Sequence, residues 1–272
     1  MEQRYAVNPD QIAGMGTQEL RNRFLVSDLF VPGEVKLVYT HHDRIVLGGA
    51  APAEGPLALP TVPEMRASFF LERRELGIVS VGATGTVTAD GQRYELPGAA
   101  CLYLGRGTRE VVFEGAGAQF YLFSAPAHTG YPNALALPGE GTVRELGDQA
   151  TSSRRSLTQY IHENGIRSCQ IVLGVTRLHP GSMWNTMPAH THDRRTECYL
   201  YFDLPEDARV VHLLGEPTQT RHLVVADREA VISPSWSVHS GVGTAAYSFV
   251  WAMAGENQAF DDMDGFPITA MR

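Results

Sequence analysis

The chain has 272 residues, of which 43% are hydrophobic and 19% are charged, a balance typical of a globular protein with a sizeable core. Its net charge of −8 argues against a surface for nucleic acid or for anionic membrane lipids. The chain contains no apolar run long enough to span a bilayer, and its first residues lack the apolar core of a signal peptide. We therefore expect a cytoplasmic protein without nucleic-acid or membrane partners.

The first half of the chain changes from an N-terminal arm to a strand-rich region. Residues 1–30 form the predicted arm, with one helix near residues 17–24 that has Thr17 as its N-cap. From Val35 onward, short β-branched or aromatic runs alternate with Gly, Pro and Asp, which is typical of strands joined by turns. The pair Asp90-Gly91 between two such runs predicts a two-residue hairpin. We expect residues 31–130 to form a first barrel.

The second half repeats this organisation. A stretch rich in Pro and Gly marks a predicted connection over residues 131–155. Strand-like runs then resume, and they predict a second barrel over residues 156–255, followed by a C-terminal tail over residues 256–272. The length also suggests about two units at ~150 residues each. Short strands at close spacing favour barrels or jelly rolls, so we predict a mainly β fold of two such units with a few short helices.

One cluster in the second half carries the chemistry of a metal site. His190 and His192 are two positions apart, so on a strand their side chains share one face. Glu197 and the distant His239 complete a set of three imidazoles and one carboxylate, which suits a divalent transition metal. This spacing, H-x-H-x4-E followed by a later His, resembles the pattern of the cupin barrels. The sequence therefore predicts a metal in the mouth of the second barrel.

The first half offers no equivalent ligand set. A faint internal repeat relates Glu72-Arg73-Arg74-Glu75 to Arg194-Arg195-Thr196-Glu197. Aligning either the glutamates or the arginine pairs leaves no histidine opposite His190 or His192. We therefore expect one metal per chain and a first barrel without metal ligands. Three scattered cysteines form no CxxC pair, and we interpret all of them as buried, reduced thiols: Cys101, Cys169 and Cys198.

Longer motifs make the resemblance more specific. They include residues 70–77 (FLERRELG), 125–129 (APAHT), 184–188 (WNTMP), 232–237 (ISPSWS) and 255–258 (GENQ). On these stretches, which run almost end to end, the chain resembles the family of 5-keto-4-deoxyuronate isomerases, also called 4-deoxy-L-threo-5-hexosulose-uronate ketol-isomerases. The resemblance implies a bicupin fold, one bound zinc per chain and a homohexamer. It also implies metal-ligand roles for four residues: His190, His192, Glu197 and His239.

The same resemblance implies an activity in the breakdown of pectin-derived uronates. The family converts 4-deoxy-L-threo-5-hexosulose uronate into 3-deoxy-D-glycero-2,5-hexodiulosonate, an aldose–ketose isomerisation. A base must remove a proton next to the aldehyde to form an enediolate, or a hydride must shift directly. The sequence does not choose between these routes and identifies no general base.

Candidate substrate-binding residues lie next to the ligands. The substrate is a carboxylate, so an arginine is expected to bind it, and Arg194 and Arg195 are the candidates. Tyr199 and Tyr201 share strand parity with Glu197 and are predicted to line the cavity. An acidic cluster near the C-terminus is a further candidate for closing the mouth: Asp261, Asp262 and Asp264.

Two other functional classes remain open at this stage. Three histidines and a glutamate also suit Fe(II), so a cupin dioxygenase is one alternative. A non-catalytic module that binds sugar acids is the other. The chain has no G-x-G-x-x-G motif after a strand and no phosphate-binding loop, so no nucleotide cofactor is expected.

Overall fold

A computed structural model describes all 272 residues, and strands dominate it. The strands of the first half are β1 (Glu2–Arg4), β2 (Leu25–Val26), β3 (Glu34–Thr40), β4 (Val46–Ala51), β5 (Leu57–Ala58), β6 (Arg74–Ser80), β7 (Gly85–Ala89), β8 (Gln92–Leu96), β9 (Cys101–Leu104), β10 (Val111–Glu114), β11 (Phe120–Pro126) and β12 (Ala134–Ala136). Those of the second half are β13 (Thr142–Leu146), β14 (Arg155–Ile161), β15 (Val172–Leu178), β16 (Trp184–Asn185), β17 (His190–Thr191), β18 (Arg195–Phe202), β19 (Val210–Glu216), β20 (Gln219–Val225), β21 (Ala230–Ser233), β22 (Ser240–Gly243), β23 (Ser248–Gly255) and β24 (Asp264–Gly265).

Helical structure is short and lies mostly near the N-terminus. The α-helices are α1 (Pro9–Ile12) and α2 (Thr17–Phe24), and single 3₁₀ turns occur at Pro63–Met65, Gln149–Thr151 and Ile268–Ala270. The predicted helix near residues 17–24 is confirmed. The predicted N-cap is wrong, because Thr17 is already helical and Gly16 is the cap, without a side-chain hydrogen bond. No helix has the length and apolar character needed to cross a bilayer.

The chain divides into two compact units. Unit 1 contains residues 1–4, 28–142 and 159–173, and unit 2 contains residues 5–27, 143–158 and 174–272. These limits differ from the sequence-based boundaries, and the predicted connection is divided between the two units after residue 142. Most of the predicted N-terminal arm clusters with unit 2, because β2 pairs with β21 there. Residues 159–173 cluster with unit 1, where the hydroxyl of Tyr160 donates to the Ala99 carbonyl at 2.9 Å.

Each half builds a large and a small sheet in the same order. The large sheets have the orders β1-β3-β4-β11-β6-β9-β12 and β13-β14-β15-β23-β18-β21-β2, and the small sheets have the orders β5-β10-β7-β8 and β16-β22-β19-β20. By this order, β6 corresponds to β18 and β11 to β23. The predicted fold class, mainly β with two barrel or jelly-roll units and a few short helices, is confirmed.

The Asp90-Gly91 hairpin is confirmed in detail. These two residues join β7 to β8, and their φ angles are 47° and 81°. Positive φ at both central positions is what a type I′ turn requires, and glycine adopts it without steric cost. β4 begins only at Val46, since Asp43 and Arg44 form a left-handed turn before it. The stretch that the sequence suggested as a connection, residues 131–155, contains the whole of β12 and β13.

The side chains of β6 settle which alignment of the internal repeat is compatible with the fold. Leu76 and Ile78 belong to the buried apolar cluster of unit 1, so residues of even number on β6 face its interior. Glu75 faces the other side, where its carboxylate accepts hydrogen bonds from the backbone N–H groups of residues 169, 170 and 171 at 2.6–2.9 Å. Glu197 instead lines the interior of its unit. Aligning the glutamates would therefore exchange the two faces of the strand, whereas aligning the arginine pairs keeps them.

Candidate metal centre

Four residues from three separate segments meet inside unit 2. His190 lies on β17, Glu197 on β18, and His239 immediately precedes β22. His192 follows the end of β17, so the two neighbouring histidines are not on one continuous strand as the spacing suggested. Their rings still converge, with centroids 4.7 Å apart. The short β17 is held by pairing with β24 near the C-terminus, which positions His190 opposite Gly265.

The donor atoms of the four residues form one compact group. All four lie within 4.8 Å of one another. The Nε2 atoms of His190 and His239 are 3.0 Å apart, and Oε2 of Glu197 lies 2.9 Å from Nε2 of His239 and 3.1 Å from Nε2 of His192. A tetrahedral shell with ligand bonds of about 2.0–2.2 Å brings its donors to similar mutual separations. The sequence-predicted ligands therefore converge in a geometry that could hold one divalent ion.

Backbone carbonyls orient the imidazole rings. Nδ1 of His192 lies 2.7 Å from the Asp262 carbonyl and 3.2 Å from Nη2 of Arg195, and we assign it as a donor to the carbonyl, the shorter contact. Nδ1 of His239 lies 3.4 Å from the Ser237 carbonyl. A ring that donates from Nδ1 keeps the lone pair of Nε2 for a metal, which is the usual outer-partner arrangement of metal-binding histidines. The tautomers that these contacts favour are those that a metal site needs.

The electrostatics of the group also favour cation binding. Burial, reinforced by the neighbouring His239 and His192, lowers the pKa of His190 to about 3, so this ring is neutral near pH 7. Burial alone would raise the pKa of Glu197, but the neighbouring imidazoles of His239 and His192 outweigh it and hold that pKa below its usual range. A neutral imidazole and an ionised carboxylate are the protonation states of metal ligands.

The ligand group opens into a cavity of about 440 Å³, within the usual range for a small-molecule site. Aromatic and apolar side chains make up much of its lining, together with a few polar groups: Arg144, Arg155, Thr186, Tyr199, Trp251, Phe260 and Asp261. The hydroxyl of Tyr199 lies 3.0 Å from Oγ1 of Thr186. Gly174 makes room for the indole of Trp251, since a Cβ at this position would overlap the ring.

The predicted substrate-binding residues are distributed differently from the expectation. Tyr199 lines the cavity, but Tyr201, Arg194 and Arg195 do not. Tyr201 is fully buried, and its hydroxyl lies 2.7 Å from Nδ1 of His212. Sequence parity gave both tyrosines the same side of the strand, yet it could not show that Tyr201 is buried away from the cavity lining.

The two arginines bind the C-terminal segment instead of lining the cavity. Arg194 forms ion pairs with Asp262 and Asp264, and its Nη2 is 2.8 Å from Oδ2 of Asp264. Arg195 is completely buried and donates to the Ala259 and Asp262 carbonyls at 2.8 and 2.9 Å. Most of the predicted acidic cluster is therefore engaged in fixing this segment. Only its first member, Asp261, lines the cavity.

Sequence reasoning missed Arg155, and it gave His212 no role at the site. Arg155 is the first residue of β14 and lines the cavity, although it is 35 residues before the first ligand and belongs to no recognisable motif. His212 lies on β19, and burial lowers its pKa to about 3. Only the alternation of buried residues on β19 could have indicated that His212 is buried.

Among the cysteines, Cys101 and Cys198 are buried as predicted, whereas Cys169 is half-buried with Sγ 3.1 Å from Nδ1 of His128.

Comparison with known proteins gives the family. The model of the KduI/IolB family matches residues 29–265. The chain belongs to this family. It is 64% identical to the 4-deoxy-L-threo-5-hexosulose-uronate ketol-isomerase of Kineococcus radiotolerans and 54% identical to that of Bacillus pumilus, in each case over 100% of both chains. The resemblance expected from the sequence motifs is confirmed.

Solved structures support the fold. An IolB-like protein from Salmonella typhimurium matches with a TM-score of 0.71 at 16% identity, covering 87% of this chain and 94% of the other. The oxalate decarboxylase of Lactobacillus farciminis matches with a TM-score of 0.60 at 10% identity, covering 91% and 90%. At such low identities these likenesses concern the arrangement of strands alone.

Proposed function

We propose that this protein is a zinc-dependent ketol-isomerase that converts 4-deoxy-L-threo-5-hexosulose uronate into 3-deoxy-D-glycero-2,5-hexodiulosonate. The single observation that supports this most strongly is full-length identity of 64% to a relative that carries the ketol-isomerase name. The cavity adds chemical support, because a compact group of ligand atoms opens into a space suited to a small sugar acid. We place the reaction in the catabolism of pectin-derived uronates in the cytoplasm.

The donor set fits a zinc ion held by His190, His192, Glu197 and His239. Nitrogen donors and one carboxylate oxygen are typical zinc ligands, and backbone carbonyls supply the outer partners. A bound zinc ion would act as a Lewis acid that stabilises negative charge developing on substrate oxygens. We propose one zinc per chain, located in unit 2, with unit 1 lacking metal ligands, and a homohexameric assembly.

The cavity residues perform the other tasks that isomerisation needs. Trp251, Phe260 and other apolar side chains exclude water from the reacting carbons, which limits side reactions. The Tyr199 hydroxyl is a neutral polar group in the cavity that contains the ligands. Burial holds its pKa well above the usual value, so it stays protonated near pH 7. It is therefore suited to donating a hydrogen bond to a substrate oxygen, aided by its contact with Thr186.

The decisive experiment is turnover under restrictive conditions. Purified zinc-loaded protein is incubated anaerobically with the deoxyhexosulose uronate, without nucleotide or flavin, and the products are followed by NMR while bound metal is measured. We expect isomerisation to continue. Turnover that needs oxygen and iron would favour a dioxygenase, and tight binding of the sugar acid without turnover would favour a binding module.

A further inference from the structure

One arginine in the cavity beside the ligand group has no acidic partner. Arg155 is only 9% exposed and lines the same cavity as the four ligand residues. Its one side-chain hydrogen bond runs from Nη1 to the Ser153 carbonyl at 2.8 Å. A guanidinium has five N–H donors, so four of them have no protein acceptor. Arg155 therefore presents a positive charge and most of a hydrogen-bonding fork to the cavity.

The other charged side chains of this cavity are already paired with each other. Arg144 lies 3.7 Å from Asp261 at the surface, where their side chains are 46% and 81% exposed. Glu197 contacts His192 and His239. The one charge without a counter-ion is therefore the buried Arg155, and the group that would balance it is absent from the protein itself.

Burial makes this isolated charge energetically significant. Desolvation by burial lowers the pKa of Arg155. A buried cation is costly unless an anion pairs with it, and a planar guanidinium matches a carboxylate through two parallel hydrogen bonds. The cavity is thus suited to a ligand that carries a carboxylate.

Tyr199 connects this arginine to the ligand group. Its ring lies 5.5 Å from that of His239, measured between centroids, and it lines the same cavity as Arg155. A ligand in the cavity can therefore reach the metal ligands and Arg155 at once. Resting on the proposed function, we propose that Arg155 binds the terminal carboxylate of the uronate while the carbonyl end faces the ligand group, and that it sets the preference for sugar acids over neutral sugars.

The test compares acid and neutral substrates in matched variants. Arg155→Gln removes the charge, Arg155→Lys keeps the charge but loses the fork, and Arg177→Gln is the control because Arg177 is an exposed arginine on the neighbouring β15. Each variant is assayed with the deoxyhexosulose uronate and with its analogue in which a primary alcohol replaces the carboxylate. Bound zinc and thermal stability are measured alongside.

We expect R155Q to lower kcat/KM for the acid by about 100-fold, mainly through KM, as the loss of a charge-assisted pair would do. Its kcat/KM for the neutral analogue and its zinc content should stay within about twofold of wild type, since Arg155 binds neither the metal nor the rest of the sugar. R155K should lose about tenfold on the acid, and it also serves as the test if R155Q does not fold. R177Q should match wild type.

A binding measurement separates this proposal from the isomerase assignment. Calorimetric titration of zinc-loaded protein with D-galacturonate and D-galactose needs no turnover, and we expect wild type to prefer the acid and R155Q to lose that preference. If wild type does not isomerise the substrate but shows this pattern, the proposed function fails and the role of Arg155 stands. Equal losses on acid and neutral compounds, an unchanged KM in R155Q, or no acid preference in wild type would each overturn it.

Discussion

The two units use the same strand order for different interiors. On β6 of unit 1, Leu76 and Ile78 pack into an apolar cluster with side chains of β9 and β11. The corresponding strand of unit 2, β18, turns Glu197 and Tyr199 into the ligand-bearing cavity. When the arginine pairs of the two halves are aligned, Leu76 occupies the place of Glu197. One strand architecture therefore accommodates either a packed core or a metal centre, depending on a few inward-facing side chains.

The two buried glutamates show the same contrast. Glu75 and Glu197 both follow an arginine-containing stretch and are 0% and 4% exposed. The carboxylate of Glu75 accepts hydrogen bonds from three backbone N–H groups and from the hydroxyl of Tyr103, the last at 2.7 Å. That of Glu197 contacts only imidazole nitrogens. A carboxylate whose lone pairs are taken by backbone donors stabilises a loop, whereas one surrounded by imidazoles can bind a cation.

The largest effect should come from removing ligands in unit 2. Replacing His190 or His239 by Ala should reduce metal affinity by more than the ~100-fold that losing an outer partner costs, because each histidine would lose a direct bond. Activity should fall with it. Metal analysis and the isomerase assay measure both, with His128→Ala in unit 1 as the control. A triple variant lacking His190, His192 and His239 that still held stoichiometric zinc would contradict the proposed site.

Glu75→Gln should separate stability from metal binding. We expect the free energy of unfolding to fall by about 2–4 kcal/mol, because an amide nitrogen would face donors that now bind a carboxylate. Zinc content should remain near one per chain. Denaturant unfolding and metal analysis provide the measurements, and Glu95→Gln, at an exposed position on β8, is the matched control. A wild-type ratio near two that drops in E75Q would mean that unit 1 also binds metal.

The smallest effect should come from the contact that holds the C-terminal segment. The hydrogen bonds from Arg194 and Asn257 lower the pKa of Asp262 from 3.8 to about 2. Because the folded-state pKa is depressed, the stabilisation is present above pH 3.8 and is lost as the pH falls through about 2.

Asp262→Asn should therefore abolish this part of the acid dependence. At neutral pH it should cost no more than about 1 kcal/mol, since the two side chains are still 36% and 18% exposed and solvent screens their interaction. Acid unfolding of metal-free protein, compared with Asp207→Asn at an exposed position, measures the effect. Parallel acid profiles for wild type and D262N would show that the ion pair does not contribute.

The sequence by itself determined the parts of this protein that depend on local pattern. Alternating runs with Gly and Pro between them gave the strand-rich class, and Asp90-Gly91 specified its turn because few dipeptides adopt positive φ at both positions. The spacing of His190, His192, Glu197 and His239 identified the group that the fold brings together. Such features can be recognised in a sequence because the chemistry or the backbone conformation restricts which residues can stand at those positions.

Only the tertiary structure decided which other side chains meet that group. Arg155 reaches the cavity from β14, whereas Arg194 and Arg195, adjacent to the ligands in sequence, bind the C-terminal segment. The structure likewise separated Tyr199 from Tyr201 and turned Glu75 away from the interior of unit 1. The reason is that strand pairing brings together residues that are far apart in the chain. The position of a residue in a strand therefore predicts which face its side chain takes, but not how deeply it is buried or which residues it contacts.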